Sequence, residues 1–177
     1  MRSETRLGEE THAAILKVLR RNRSLRRNLI VMAVCVAAFL FPTVAVTYDG
    51  EFWKHPLSVI SHANVFHLLA NMYCVWLMRF RADWLTAFVI GIAATFLPSP
   101  VWSWKEMGFV LMPTCGLSGV ILAAVAMEWA RVGSIMRMIK WVVLPLLPLT
   151  LVPNINTPIH LYCVAFGYLY QKIKTRI

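Results

Sequence analysis

One serine stands between glycines in a part of the chain that is otherwise mostly apolar. The stretch is CGLSGV, and it places Ser118 between Gly116 and Gly119. A serine hydroxyl acts as a nucleophile when a base removes its proton and hydrogen-bond donors hold the oxyanion formed by its attack. Glycines let the backbone approach a substrate or a neighbouring helix closely. The stretch therefore predicts a nucleophile, provided that the chain also supplies a base and oxyanion donors.

A small set of polar residues within the other apolar segments can supply the base and the donors. The set comprises His62, Asn64, His67, Asn71, Ser118, Glu128 and His160. His67 and Asn71 are four residues apart, so a helix places them on one face. Polar groups inside apolar spans are costly and favour a functional role. All of them except Glu128 fall near the outer ends of their spans, so we expect them to converge around Ser118.

The elements that must position these residues are long apolar segments. Of the 177 residues, 59% are hydrophobic, whereas about half is usual for soluble domains. A helix of roughly 20 apolar residues can cross the hydrocarbon core of a bilayer. The sequence therefore predicts an all-α membrane protein, a bundle of six transmembrane helices. The predicted spans are residues 28–47, 57–78, 83–101, 115–130, 136–152 and 157–171.

The distribution of charge predicts how these spans are oriented. The formal net charge is +10, and sixteen of the 18 Lys and Arg residues lie on one side of the predicted spans. Such an excess marks the cytoplasmic side, so we expect both termini to be cytoplasmic. Nucleic acid is not needed as a partner to explain the charge. The predicted organisation is a basic cytoplasmic segment 1–27, a membrane domain 28–171 and a basic cytoplasmic tail 172–177.

Two regions of the predicted membrane domain depart from regular helix. Residues 102–114 are apolar but interrupted by Gly108 and Pro113, which predicts a loop dipping into the membrane. The fifth span carries three prolines, and each removes a backbone donor, so we expect this helix to be bent and locally weak. These are Pro145, Pro148 and Pro153.

Other interpretations of the same residues remain open. A GxSG stretch alone also occurs where glycines pack one helix against another. Three histidines in spans can bind a metal ion or serve a transporter. No HExxH motif accompanies them, and Glu128 falls near the inner boundary of its span, so no metal or other cofactor is predicted. The four cysteines form no CxxC pair, and we interpret them as small packing residues in helices. They are Cys35, Cys74, Cys115 and Cys163.

The motifs taken together resemble the rhomboid intramembrane serine proteases. The resemblance covers about residues 28–171 and rests on HANVFHLLAN, GLSG and HLYCVAFG, on the second, fourth and sixth of the six predicted spans. Trp53 and Lys54 resemble the Trp-Arg pair that rhomboids carry ahead of the second span. Three features depart from the family. The first loop has about eight residues, Leu122 replaces a tyrosine, and the sixth span has Cys163 and Gly167 where the family often has a GxxxG packing motif.

The resemblance implies a role for each motif residue. Ser118 would be the nucleophile and His160 its general base, a dyad without an acidic third member. The side chains of His67 and Asn71, with the backbone N–H of Ser118, would form the oxyanion hole. The supporting motif residues would be His62, Gly116, Gly119 and Gly167.

The activity implied by the resemblance is intramembrane proteolysis. Expected substrates are single-pass transmembrane proteins, cleaved near the outer boundary of the lipid bilayer in which the enzyme sits. The expected location is the bacterial inner membrane, as a multi-pass integral protein. The alternative is a catalytically inactive rhomboid-like protein that binds membrane clients.

Overall fold

The computed structural model describes residues 24–152 and 155–176. Within them, helix α1 covers residues 24–39, followed by α2 Lys54–Ser58, α3 Val65–Leu77 and α4 Trp84–Thr95. A hairpin of β1 Pro100–Ser103 and β2 Gly108–Leu111 leads to α5 Ser118–Arg131. Four short pieces follow: α6 Ile135–Met138, a π-helix Ile139–Val143, α7 Leu144–Leu146 and a 3₁₀ helix Leu147–Leu151. Helix α8 Thr157–Lys174 comes last. Most of the predicted basic segment, Pro153 and the last residue of the tail lie outside the described residues.

Side-chain caps fix where several helices begin. Asn64 caps α3, since its side chain accepts a hydrogen bond from the backbone N–H of His67. Asp83 caps α4 and Asn156 caps α8 in the same way. Such caps satisfy backbone donors that have no partner within the helix. Asn64 therefore serves the start of a helix and contributes no side chain to the predicted cluster of polar residues.

The prediction of six membrane-spanning helices is wrong for the described residues. No helix there is both long enough and apolar enough to cross a membrane. The predicted second, third and fourth spans contain helices of 13, 12 and 14 residues. At 1.5 Å per residue, even α5 is about 21 Å long, against a hydrocarbon core of roughly 30 Å. Helix α8 has 18 residues but includes Lys172 and Lys174.

The same finding corrects the predictions that depended on those spans. They are the six-helix membrane bundle, the cytoplasmic placement of both termini, and the location as a multi-pass integral protein of the bacterial inner membrane. The cause is local: caps and turns divide apolar segments that hydropathy alone joins. Helix α1 ends at residue 39, ahead of Pro42, and α3 begins at Val65 rather than near residue 57.

Residues 102–114 form most of a β-hairpin where the sequence predicted a loop. Strands β1 and β2 are antiparallel, with Val101 opposite Val110 and Trp102 opposite Phe109. The segment after β2 is also tied to the chain that follows α1. The N–H of Thr114 donates to the carbonyl of Val46, and the Val46 N–H donates back to the carbonyl of Thr114. The hairpin therefore anchors the backbone that leads into α5.

The proline-rich segment is broken, as its composition predicts. Residues 135–151 divide into the four short helical pieces, with the π-helix directly before α7 and the 3₁₀ helix after it. Pro145 and Pro148 lack the N–H that would continue an α-helical ladder, so the local hydrogen bonding changes register.

Helix α5 lies at the centre of the core. It packs against α3, α4, α6 and α8, and its residues Val120 and Ala123 are fully buried. Glycines bring its neighbours close. A Cβ added at Gly167 of α8 would lie 2.5 Å from the Ala123 carbonyl oxygen, and one at Gly91 of α4 would lie 2.6 Å from a Val120 methyl. The two elements that carry Ser118 and His160 are therefore held at short range.

On the opposite side of the molecule, one asparagine ties three elements together. Asn28 of α1 is buried, and its amide donates to the carbonyls of Val75 and Met78 at the end of α3. Its side-chain oxygen accepts a hydrogen bond from the indole N–H of Trp84, the first residue of α4. These bonds fix the far end of α3 and thereby the position of the helix that carries His67.

Candidate active site

Ser118 and His160 lie within hydrogen-bond distance of each other. The Oγ of Ser118 is 2.7 Å from Nε2 of His160. Ser118 is the first residue of α5, and His160 lies in the first turn of α8. Both side chains are partly exposed, so a substrate can reach them. This is the geometry in which an imidazole can accept the proton of a serine hydroxyl.

The close approach of α5 and α8 beside the dyad depends on small residues. Gly119 directly follows Ser118, and a Cβ there would lie 2.9 Å from Sγ of Cys163. Cys163 lies one turn beyond His160 on α8. Together with the Gly167–Ala123 contact, this pair sets the distance between the two helices at the point where the dyad forms.

The loop before Ser118 requires glycine at position 116 for two reasons. Gly116 has φ of +119°, a backbone conformation that other residues rarely adopt. A Cβ at that position would also lie 2.4 Å from Cε1 of His67. The N–H of Gly116 donates to the carbonyl of Ser58 at 2.9 Å, which holds the loop against the last residue of α2.

The start of α5 offers backbone donors next to Ser118. The first backbone hydrogen bond at this end runs from the N–H of Ile121 to the carbonyl of Leu117. The N–H groups of Ser118, Gly119 and Val120 therefore have no partner within the helix. Such N–H groups, aligned with the helix dipole, favour negative charge at a helix N-terminus. They can stabilise an oxyanion formed at Ser118.

Of the side chains predicted for the oxyanion hole, that of His67 lies against the loop before Ser118. The His67 ring packs against Gly116, two residues before Ser118. The Asn71 amide is buried and donates to the carbonyl of His67 at 3.0 Å. One of its two N–H groups is thus used within α3, and the other remains to act as a donor.

His62 is buried beside His67. The two rings meet edge to face with centroids 5.2 Å apart, and Nδ1 of His62 lies 3.0 Å from the Ile60 carbonyl. A carbonyl can only accept, so Nδ1 carries the proton and Nε2 is the unprotonated nitrogen. His62 thereby supports the ring that covers Gly116.

Burial keeps the histidines of this cluster neutral. It lowers the pKa of His160 to about 4, with a smaller effect from the charge of His67. The pKa of His62 also falls to about 4, first through burial and then through the charge of His67. Burial lowers the pKa of His67 as well. At neutral pH the imidazole of His160 is therefore free to accept a proton.

The tautomer of His160 follows from its contact with Ser118. If the hydroxyl donates to Nε2, the neutral ring must carry its proton on Nδ1. Nδ1 is buried and has no hydrogen-bond partner among the described residues. A buried donor without a partner is destabilising by about 1–3 kcal/mol. No carboxylate contributes to the pKa of His160.

A cavity of about 20 Å³ adjoins Ser118. This volume is enough for one water molecule. Its lining includes Ser58, Thr95 and Cys115. The cavity can hold a water molecule next to Ser118.

Sequence analysis missed the residues that support this cavity. His55 is fully buried and stacks on Phe96, with Nδ1 2.8 Å from Oγ1 of Thr95. The hydroxyl of Ser58 donates to the carbonyl of His55. The one signal in the sequence is that His55 and Ser58 are three residues apart, a spacing that places both on one turn of a helix. Neither residue belongs to the motifs on which the site prediction rests.

The structure offers no metal site among the residues it describes. No group of three or more His, Cys, Asp or Glu side chains there is arranged to hold a metal ion. The cysteines are all free. Cys35 and Cys163 are buried in the core as predicted, whereas Cys74 is exposed, so the packing interpretation is wrong for Cys74.

The other residues that the sequence singles out make contacts of their own. Trp53 is exposed, and the ammonium of Lys54 lies 5.3 Å from its ring centroid. Glu128 forms an ion pair with Arg131 near the end of α5. Leu122 of α5 packs against a buried cluster that includes residues of the proline-rich segment.

In comparisons with known proteins, neither a family model nor a curated protein sequence matches the chain.

Proposed function

We propose that the chain is a serine endopeptidase in which Ser118 is the nucleophile and His160 the general base. The observation that carries the proposal is the 2.7 Å contact between Ser118 Oγ and His160 Nε2. The free N–H groups at the start of α5 and the neutral state of His160 support it. The resemblance of three motifs to rhomboid proteases favours peptide bonds over other acyl groups as the substrate.

The proposed reaction has two halves. Ser118 Oγ attacks the carbonyl carbon of the scissile peptide as its proton moves to Nε2 of His160. The backbone N–H groups at the start of α5 stabilise the oxyanion, with His67 and Asn71 as the proposed side-chain donors. The protonated His160 then gives its proton to the departing amine, which leaves an acyl ester on Ser118.

Water completes the cycle. A molecule held in the cavity beside Ser118 loses a proton to His160 as its oxygen attacks the ester carbonyl. His160 returns that proton to Ser118 Oγ, and the carboxylic acid product leaves. No metal or cofactor takes part in the proposed reaction.

Apolar polypeptide segments are the proposed substrates. The resemblance implies single-pass membrane proteins, and the surface of the chain is rich in exposed apolar side chains. Phe66, next to His67, is 78% exposed, and Phe109 of β2 is 72% exposed. Such side chains can contact an apolar segment beside the site.

The test is cleavage of a model single-pass membrane protein in detergent micelles by the purified chain. Ser118→Ala and His160→Ala are each expected to abolish cleavage, because one removes the nucleophile and the other its base. Ser103→Ala is the matched control, since Ser103 lies on the hairpin and its hydroxyl accepts from the Glu106 N–H. Cleavage by either dyad variant at nearly the wild-type rate would show that the assignment is wrong. Substrate that binds the wild-type chain but stays intact would favour the client-binding alternative.

A further inference from the structure

Two buried polar atoms in the first turn of α8 have no hydrogen-bond partner among the described residues. They are Oγ1 of Thr157 and Nδ1 of His160. Thr157 is fully buried. Buried polar atoms in folded proteins nearly always have a partner, either a protein group or an ordered water. Two such atoms close together therefore call for a common explanation.

The helix places the two side chains next to each other. Thr157 and His160 are three residues apart in α8. This spacing puts side chains on the same face of a helix, about one turn apart. The backbone at this point is held by the Asn156 cap and by the Thr157 N–H, which donates to the carbonyl of Ile155. The position of the Thr157 hydroxyl relative to His160 is thus fixed to within a rotation about χ1.

The other polar group in this turn is already occupied. The Asn156 amide donates to Ser99 Oγ at 2.9 Å, and its oxygen accepts from the Ile159 N–H. Two other ionisable groups belong to the helices around His160. They are His67 on α3, whose charge lowers the pKa of His160, and the buried thiol of Cys163 on α8. Neither supplies a carboxylate for Nδ1.

We infer that Thr157 is the positioning residue of His160. Its hydroxyl accepts the hydrogen bond of the His160 Nδ1–H through one buried water or after a rotation about χ1. Thr157 thereby takes the place of the absent acidic third member. This inference rests on the proposed function, in which Nε2 must be the unprotonated nitrogen that faces Ser118.

The hydrogen bond has two consequences for the base. It holds the imidazole in the tautomer and orientation that direct Nε2 at Ser118. It also stabilises the protonated ring, because a neutral acceptor on Nδ1–H interacts more strongly with imidazolium than with imidazole. Removing the hydroxyl should therefore lower the pKa of His160 and weaken it as a base.

The test compares Thr157→Val, which keeps the shape and removes the hydroxyl, with Thr157→Ser, which keeps the hydroxyl. The His160 ring is titrated by NMR in the full chain labelled at its histidines, with His160→Gln used to assign the signal. Thr157→Val should lower the pKa of His160 by about one unit, whereas Thr157→Ser should leave it near the wild-type value. Thr157→Ala is the second variant if valine does not fit. Thr86→Val, in the first turn of α4, is the control.

A second readout is the rate at which Ser118 reacts with a small fluorophosphonate. Thr157→Val should slow this reaction about tenfold at pH 7, and Thr157→Ser should restore it to within about twofold. An unchanged His160 pKa and unchanged exchange of its Nδ1 proton in the valine and alanine variants would overturn the inference. A wild-type chain whose Ser118 does not react would contradict the proposed function instead, and the NMR titration would still decide the role of Thr157.

Discussion

At the scale of single residues, the proposed chemistry depends on how basic His160 is at the moment when Ser118 loses its proton. Burial favours the neutral ring, which is free to accept, but it also makes Nε2 a weak base. A hydrogen bond from Nδ1–H to an acceptor makes Nε2 a stronger base, and the ring still stays neutral at pH 7. The reactivity of the dyad is therefore set by the groups around the imidazole as much as by the 2.7 Å contact itself.

The buried histidines should make the fold sensitive to acid. His62 titrates near pH 4 when folded and near its ordinary value of 6.5 when unfolded. Between these values the unfolded chain binds the additional proton, so the free energy of unfolding falls as pH falls. The contribution of His62 is fully present above pH 6.5 and is lost by about pH 4. It amounts to about 3 kcal/mol.

Denaturant unfolding at a series of pH values between 7 and 4 measures this effect. His62→Gln should flatten the dependence of the unfolding free energy on pH by the contribution of one group, whatever its effect on stability at pH 7. The pKa values of His67 and His160 are also lowered, so the unfolding free energy of the variant will still depend on pH. Identical slopes for the wild type and His62→Gln would contradict the assignment of a buried neutral His62.

The sequence predicts the two residues of the proposed dyad better than it predicts the residues around them. Ser118 and His160 are identifiable because a serine between glycines and histidines in apolar segments are rare combinations. The structure brings these two side chains together. Thr157 carries no such signal, because a threonine at the start of a helix is an ordinary choice. The signal from Asn64 is misleading. A polar side chain in an apolar segment suggests a functional residue, but Asn64 caps α3.

At the scale of elements, the contact between α5 and α8 determines whether the dyad forms. Gly167 is expected to be irreplaceable by alanine, because the added Cβ would lie 2.5 Å from the Ala123 carbonyl oxygen and 3.0 Å from its Cα. The helices would have to separate. Gly167→Ala should therefore destabilise the fold by about 1–3 kcal/mol and lengthen the Ser118–His160 contact.

Gly108→Ala provides the matched comparison. The nearest atom to a Cβ at Gly108 is the Glu106 carbonyl oxygen at 3.7 Å, an ordinary contact. Denaturant unfolding and fluorophosphonate reactivity of the two variants measure stability and dyad geometry separately. A Gly167→Ala chain as stable and as reactive as Gly108→Ala would refute the close packing of α5 and α8.

Element boundaries were the weakest part of the prediction from sequence. Hydropathy averaged over a window does not register a cap such as Asp83 or Asn156, so it extends helices beyond their ends. In residues 102–114, Gly108 and Pro113 interrupt an apolar segment, which predicts a loop. Gly108 instead begins β2, and its pairing with Ser103 closes the hairpin. Pairing between strands depends on contacts that no local window contains.

At the scale of the whole molecule, apolar residues are divided between a core around α5 and an extensive apolar surface. The fully buried Cys35, Val75 and Leu117 belong to the core. Leu40 and Leu85 are 81% and 79% exposed. A hydrophobic composition of this kind predicted spans because composition does not record which side chains face inward, nor how long each helix is.

The central claim is that the fold makes Ser118 a nucleophile activated by His160. The most direct measurement is intact-mass and peptide-mapping analysis of the folded chain after reaction with a small fluorophosphonate. The account predicts one adduct per chain, located on Ser118, absent in Ser118→Ala and formed far more slowly in His160→Ala. An adduct on a different serine, equal rates in the wild type and His160→Ala, or no adduct on the folded wild-type chain would contradict it.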